Sequence, residues 1–187
     1  MSGHLDYEIN KELGECYLFM GELDKAEEYY TKAAHSNGVH PDPYLGLATI
    51  AVQRGELDQA LALYRKANKI ESSDKTLAGI GLVQMEFGYK EEAFGLFVQA
   101  LAKNPENMVA LFSIVRLGNE LDRLVEAVEH LSGYLAIDPG KNEVRYALAG
   151  CLACLDRKDE AMAQLARIIE SDPANEAAKE LAARLSE

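Results

Sequence analysis
The sequence predicts an all-α fold, an array of about five similar units followed by a terminal capping helix, and three observations carry that expectation. Alanine, leucine, glutamate and lysine dominate, prolines number five, and alternating stretches rich in Val, Ile and Thr are absent, a composition that favours helix over sheet. A pattern of small and large residues returns at a fixed interval along nearly the whole chain. The stretch from Asn175 to Leu185 places apolar residues on one side and charges on the other at helical spacing. With 187 residues, one continuous domain over 1–187 is expected in preference to two independent ones.

The units follow in order. In the first, about 7–40, Leu13-Gly14 is followed by Tyr17, Gly21, Ala26, Tyr30 and Ala33. The second, 41–73, repeats the last three as Ala60, Tyr64 and Ala67, and the third, 74–107, as Ala93, Phe97 and Ala100. Weaker echoes stand at Ala127, Leu131 and Tyr134 in the fourth, 108–141, and at Ala161, Leu165 and Ile168 in the fifth, 142–175. Gly21, Gly55, Gly88, Asp122 and Asp156 mark turns in step with the repeat. Pro105, Pro139 and Pro173 close the last three units, where a missing N–H and a fixed φ stop one helix and start another. The tail, 176–187, is expected to cap the array, because the last repeat would otherwise leave its apolar face in water.

These residues resemble the tetratricopeptide repeat family from about Tyr7 to Asn175. The resemblance implies a right-handed superhelical solenoid whose unit is a helix, a turn and a second antiparallel helix: ten helices in five pairs, an eleventh near 174–186, and no strand. It places Gly14, Ala48, Gly81 and Ala149 where the first helix of a unit crosses the second, a position a larger side chain would force open. Tyr30, Tyr64 and Phe97 are expected to fill the space between one hairpin and the next. The fourth unit departs most, with Val115 where the family prefers a small residue, Gly118 where it prefers a large one and Tyr134 where it prefers alanine. The family's frequent tryptophan is replaced throughout, by Asn10, Tyr44, Leu77, Leu111 and Arg145.

Composition and motifs exclude several functions. A net charge of −12 repels phosphate backbones, so nucleic acid is a poor partner. The N-terminal sequence has no basic residue followed by an apolar run, and no window is long and apolar enough to span a bilayer, so the chain reads as soluble and cytoplasmic, without membrane insertion. Three cysteines are too few and too unevenly placed for a disulfide framework. Cys151 and Cys154 form a C-x-x-C inside a repeat helix, with no second cysteine pair or histidine pair beside it, and read as two small residues in or beside a groove. His4, His35, His40 and His130 are scattered; the loop pair His35 and His40 is expected to be solvated, not metal-binding. Glu27-Glu28 and Glu91-Glu92 are sequence neighbours that point to different sides of a helix and cannot work as an acid/base pair. Phosphate-loop, dinucleotide and nucleophile-elbow patterns are missing. The expectation is a chain that is not an enzyme and takes no cofactor or metal.

The family resemblance also implies an inner surface lined by the first helix of each unit, where partner polypeptides bind. Its columns run through Lys11, Glu15 and Leu18, then Leu45, Thr49 and Val52, then Ala78, Leu82 and Met85, then Val109, Phe112, Arg116 and Asn119, then Glu143, Tyr146 and Gly150. Leu45, Thr49, Leu82, Met85, Phe112, Arg116 and Tyr146 are the candidate partner-binding residues, with Arg116 as polar anchor. The carboxylate clamp of chaperone-binding relatives is incomplete: Lys11 and Lys75 match two of its columns, whereas Glu15, Gly46 and Gly79 do not. The asparagine ladder of sugar-transferase repeats is also missing; its column reads Glu12, Gly46, Gly79, Ser113 and Ala147, small residues that would let a bound backbone come close. Residues 1–40 hold eight acidic and three basic side chains, a field that would steer a basic segment or simply keep the face solvated.

Three functions compete. The first is an adaptor that holds a peptide or partner-protein segment, with apolar and basic residues, in its groove. The second is a self-assembling scaffold in which the groove of one protomer accepts a terminal segment of another, the N-terminal hairpin being the obvious donor; a monomer at every concentration in light scattering would remove it. The third is the regulatory or targeting array of a larger enzyme.

Overall fold
The computed structural model describes residues 2–36 and 39–186, with side chains from His4 onward. Eleven helices and no strand occur among these residues, as expected. They fall into two compact units, 1–103 and 104–187.

In the first unit α1 (Ser2–Phe19) pairs with α2 (Leu23–Ser36), α3 (Asp42–Gln53) with α4 (Leu57–Ile70), and α5 (Asp74–Glu86) with α6 (Lys90–Lys103). Within this unit α2 also packs on α3 and α4 on α5, and α1 touches α3 as α3 touches α5. Ala26, Ala33, Ala60, Ala67, Ala93 and Ala100 are fully buried, so the alanines of the repeat are contact points where helices approach closely. Tyr30 shows why the interval between small and large residues is kept. A Cβ at Gly14 would lie 2.8 Å from its ring, and one at Gly46 would overlap the same ring. The Tyr30 ring therefore occupies the space between α1 and α3, as expected of a residue that joins one hairpin to the next. Tyr64 stands in the same relation to Gly79, and a Cβ at Gly81 would lie 2.8 Å from the Phe97 ring.

The second unit holds α7 (Met108–Glu120), α8 (Leu124–Ile137), α9 (Asn142–Cys154), α10 (Lys158–Ser171) and α11 (Glu176–Leu185), each packed on its neighbour in sequence. The irregular fourth repeat keeps its hairpin: Gly118 and Tyr134 are both buried, and a Cβ at Gly118 would come within 3.3 Å of the Arg123 carbonyl oxygen. Ala149, Leu165, Ile168 and Ala178 form a core that Leu181, Ala182 and Leu185 of α11 cover from one side. The terminal helix is thus seated on the last hairpin.

One turn chemistry recurs five times. Gly21, Gly55, Gly88, Asp122 and Asp156 all have positive φ, between 56° and 85°. In each turn the next residue's N–H donates to the carbonyl five residues back: Glu22 to Tyr17, Glu56 to Ala51, Tyr89 to Gln84, Arg123 to Gly118 and Arg157 to Leu152, at 2.7–2.9 Å. This left-handed closure satisfies the carbonyls a helix end would orphan. Asparagine and aspartate tolerate that region better than other side-chain-bearing residues, which is why aspartate can replace glycine in the last two turns. Side chains cap the starts of α5, where Ser73 and Thr76 form a reciprocal box, of α7, through Asn107, and of α11, through Asn175.

The histidine expectation needs correction in part. Asn37 and Gly38, inside the loop it invoked, lie outside the described residues. His40 is half-buried and stacks on the Tyr7 ring at 4.6 Å, with the Tyr7 hydroxyl donating to Asp42 at 3.4 Å. It is a packing residue between α1 and α3 and not a solvated one.

Candidate functional site
The candidate residues fall on two surfaces, one in each unit. In the first, helical periodicity sets Leu45, Thr49 and Val52 along α3, and Leu82 and Met85 along α5, all half-buried. Thr49 donates its hydroxyl to the Leu45 carbonyl at 2.9 Å and sits 3.5 Å from the Tyr64 hydroxyl. Its polar group is thereby largely spent inside the protein. Val52, Leu57, Leu82 and Glu86 line a cleft of about 310 Å³, mostly apolar, with one carboxylate at its edge. Leu57 belongs to a second helix and escaped the column reading, which followed first helices only.

Two expectations for this surface fail on packing. Ala78, placed on the inner column, is 3 % exposed and belongs to the core. Gly46 and Gly79 do not offer room for a bound backbone, because the Tyr30 and Tyr64 rings already fill the space a Cβ would take. The column that looked like an open floor is an internal contact. Ser113, the next member of that column, is likewise buried. Lys11 is also committed: its ammonium lies 3.1 Å from Glu8 and 3.4 Å from Glu12, and these carboxylates raise its pKa above the usual lysine value.

In the second unit the apolar groups are more open. Phe112 on α7 is 39 % exposed and Tyr146 on α9 is 38 % exposed, with Val109 one turn before Phe112 at 49 %. Arg116, one turn after Phe112, keeps most of its side chain in solvent and makes only a loose 3.8 Å pair with Glu120. Arg116, Asn119, Leu124, Tyr146, Gly150 and Cys154 border a cleft of about 430 Å³. Arg116 and Tyr146 thus share one cleft, and Phe112 stands beside Arg116 on the same helix. Leu124, the first residue of α8, was not read as a site residue; its only sequence signal is an apolar residue directly after a turn.

Both cysteines border this cleft. Cys151 is 3 % exposed, and burial together with the nearby Cys154 sulfur pushes its thiol up to about 11, so the thiolate is scarce at neutral pH. Cys154 is exposed, and both are free. Among the described residues no group of three His, Cys, Asp or Glu side chains is arranged to hold a metal ion, and no helix is long and apolar enough to cross a membrane. Apart from these clefts, apolar side chains stand exposed on the first hairpin: Leu5, Ile9, Met20 and, at 94 %, Phe19.

Family models described as tetratricopeptide repeat match residues 11–74, 79–142 and 119–185. The BBSome complex member BBS4 of Bos taurus is 31 % identical over 109 residues, 58 % of this chain and 21 % of that protein. Its Mus musculus counterpart is 30 % identical over 82 residues, 43 % of this chain and 16 % of that one. The chain therefore spans about a fifth of the length of these curated relatives. Among solved structures, pilF of Pseudomonas aeruginosa superposes with a TM-score of 0.82 at 20 % identity, over 100 % of this chain and 85 % of the other. YrrB, a TPR protein with an unusual peptide-binding site, superposes with a TM-score of 0.67 at 19 % identity, over 91 % and 89 %. At these identities the structural likeness shows the fold alone.

Proposed function
Because the chain belongs to the tetratricopeptide repeat family, a fold that in general serves protein–protein interaction without catalysis, we propose that it is an adaptor that grips a partner polypeptide by apolar side chains. The observation that carries this reading is the open aromatic surface of the second unit. Phe112 and Tyr146 leave more than a third of their surface in water, on the side where Arg116 and a cleft of about 430 Å³ are found. Large aromatic rings beside an arginine are the composition of binding hot spots, and covering them removes apolar area from water. The half-buried Leu82 and Met85 and the smaller cleft beside Leu82 supply a second apolar contact of the same kind. BBS4 is a member of a complex and YrrB has a peptide-binding site; both fit an interaction role. Self-assembly is the second reading, favoured by the exposed Phe19 and Met20 on the first hairpin.

The test is affinity capture by the intact chain and by the Leu82→Asp/Phe112→Asp variant, read by mass spectrometry and accompanied by a melting curve. Each aspartate puts a charge where a partner's apolar groups must shed water, so capture should fall about tenfold or more while the melting temperature moves little. A variant that keeps its partners, or one that unfolds, would defeat the groove reading.

A further inference from the structure
A second site of different chemistry lies away from the aromatic surface. Arg145, on α9, is 6 % exposed, which makes it a deeply buried cation. Its two terminal nitrogens donate to neutral oxygens only, to Gln164 Oε1 at 2.8 Å and to the Pro139 carbonyl at 2.5 Å. The four other arginines of this unit besides Arg167 each have a carboxylate partner: Arg116 with Glu120, Arg123 with Glu126, Arg157 with Glu160 and Arg184 with Glu180. Among the described residues neither Arg145 nor Arg167 forms such a pair. Burial, with the nearby Arg167 adding to it, pushes the Arg145 guanidinium below its ordinary pKa, yet an arginine stays charged. The two cations border one cleft of about 350 Å³, floored by Leu135 and Leu148 and edged by Ser132 and Gln164.

A buried charge held by neutral acceptors alone is a costly arrangement, and a bound anion relieves it. We propose that this cleft receives a single carboxylate, presented by an acidic side chain of a partner polypeptide. The lining and the charge of the chain favour a carboxylate over a phosphate. Leu135, Ala136, Pro139 and Leu148 contribute apolar groups that suit the methylene stem of Asp or Glu, and a chain of net charge −12 opposes the second negative charge of a phosphate dianion more than a first. The site is independent of the aromatic surface and stands or falls without it.

The test follows the Arg Nε–Hε signals of the full chain by NMR during titration with four probes: the capped peptide Ac-Leu-Glu-Leu-amide, its Gln counterpart, Ac-Leu-Gln-Leu with a free C terminus, and inorganic phosphate. The glutamate peptide should shift Arg145 and Arg167 saturably and the capped glutamine peptide should not. Arg167→Gln, which removes an exposed cation, should weaken binding roughly threefold, as for a solvent-screened charge pair. Gln164→Glu, which gives Arg145 a carboxylate of its own, should weaken it about tenfold or more and raise the melting temperature. No saturable shift with the glutamate peptide, or equal binding by Gln164→Glu, overturns the site. Stronger binding of phosphate, or of the free C terminus, than of the glutamate side chain overturns the assignment of its ligand.

Discussion
Deleting residues 176–187 should lower the stability of the last hairpin by about 3–5 kcal/mol, on the scale of two large aliphatic side chains losing their cover. Leu165 and Ile168 are fully buried, and with Ala149 and Ala178 they form the core that α11 closes through Leu181, Ala182 and Leu185. Removing the helix returns its own ordering entropy, which limits the loss, but it turns Leu165, Ile168, Met162 and Ile169 toward water together. A urea titration of the truncated chain gives the magnitude. Hydrogen exchange locates it, with amides of α9 and α10 losing protection first. An unchanged unfolding midpoint would mean that the hairpin is stable with its apolar face exposed and that the tail is not a cap. Replacing Leu181 and Leu185 together by serine should reproduce much of the effect while leaving the helix in place, which separates loss of cover from loss of the chain end.

The sequence displayed the framework well because that framework is periodic. Alanine at 26, 60 and 93 can recur only where helices touch at close range, and glycine or aspartate at 21, 55, 88, 122 and 156 only where a helix must close through positive φ. Such constraints are local or repeat from unit to unit, so one chain exhibits them several times over. Surface chemistry does not repeat, and it was less legible. Ala78 lies in a column expected to line the groove, yet it is buried; nothing in its own spacing separates an alanine that lines a groove from one that closes a helix contact. Arg145 stands in the tryptophan column, where the repeat pattern gives it no role of its own. Its meaning lies in what surrounds it, the neutral oxygens of Gln164 and Pro139 and the absence of a carboxylate partner among the described residues, and pairing across 19 and 6 residues is not written in any local pattern. Leu124 shows the same limit, since its place at a cleft beside Tyr146 depends on two helices meeting.

The glycines at 46 and 79 separate a packing column from a binding surface most sharply, and a substitution there should change sign with its neighbour. In an exposed helix, Gly→Ala stabilises by about 1 kcal/mol through backbone entropy. Gly79→Ala should instead destabilise this chain by about 2 kcal/mol net, because the new Cβ would overlap the ring of Tyr64, and overpacking a filled core costs about 1–3 kcal/mol. The ring has little room to retreat: Tyr64 is 6 % exposed and its hydroxyl lies 3.5 Å from Thr49. Emptying that space first should reverse the outcome. In a Tyr64→Ala background, itself destabilised by the cavity it leaves, Gly79→Ala should be neutral or stabilising by up to about 1 kcal/mol, since only the helix propensity remains. The double-mutant cycle, measured by denaturant unfolding, should therefore show a coupling of about 2–3 kcal/mol between the two positions. Additive effects would mean that the ring does not fill the glycine's space, and the column would again be free to admit the backbone of a partner. A strong coupling leaves Gly79 inside the stack of hairpins and directs the search for bound polypeptide to the side chains of α5 that do reach solvent, Leu82 and Met85.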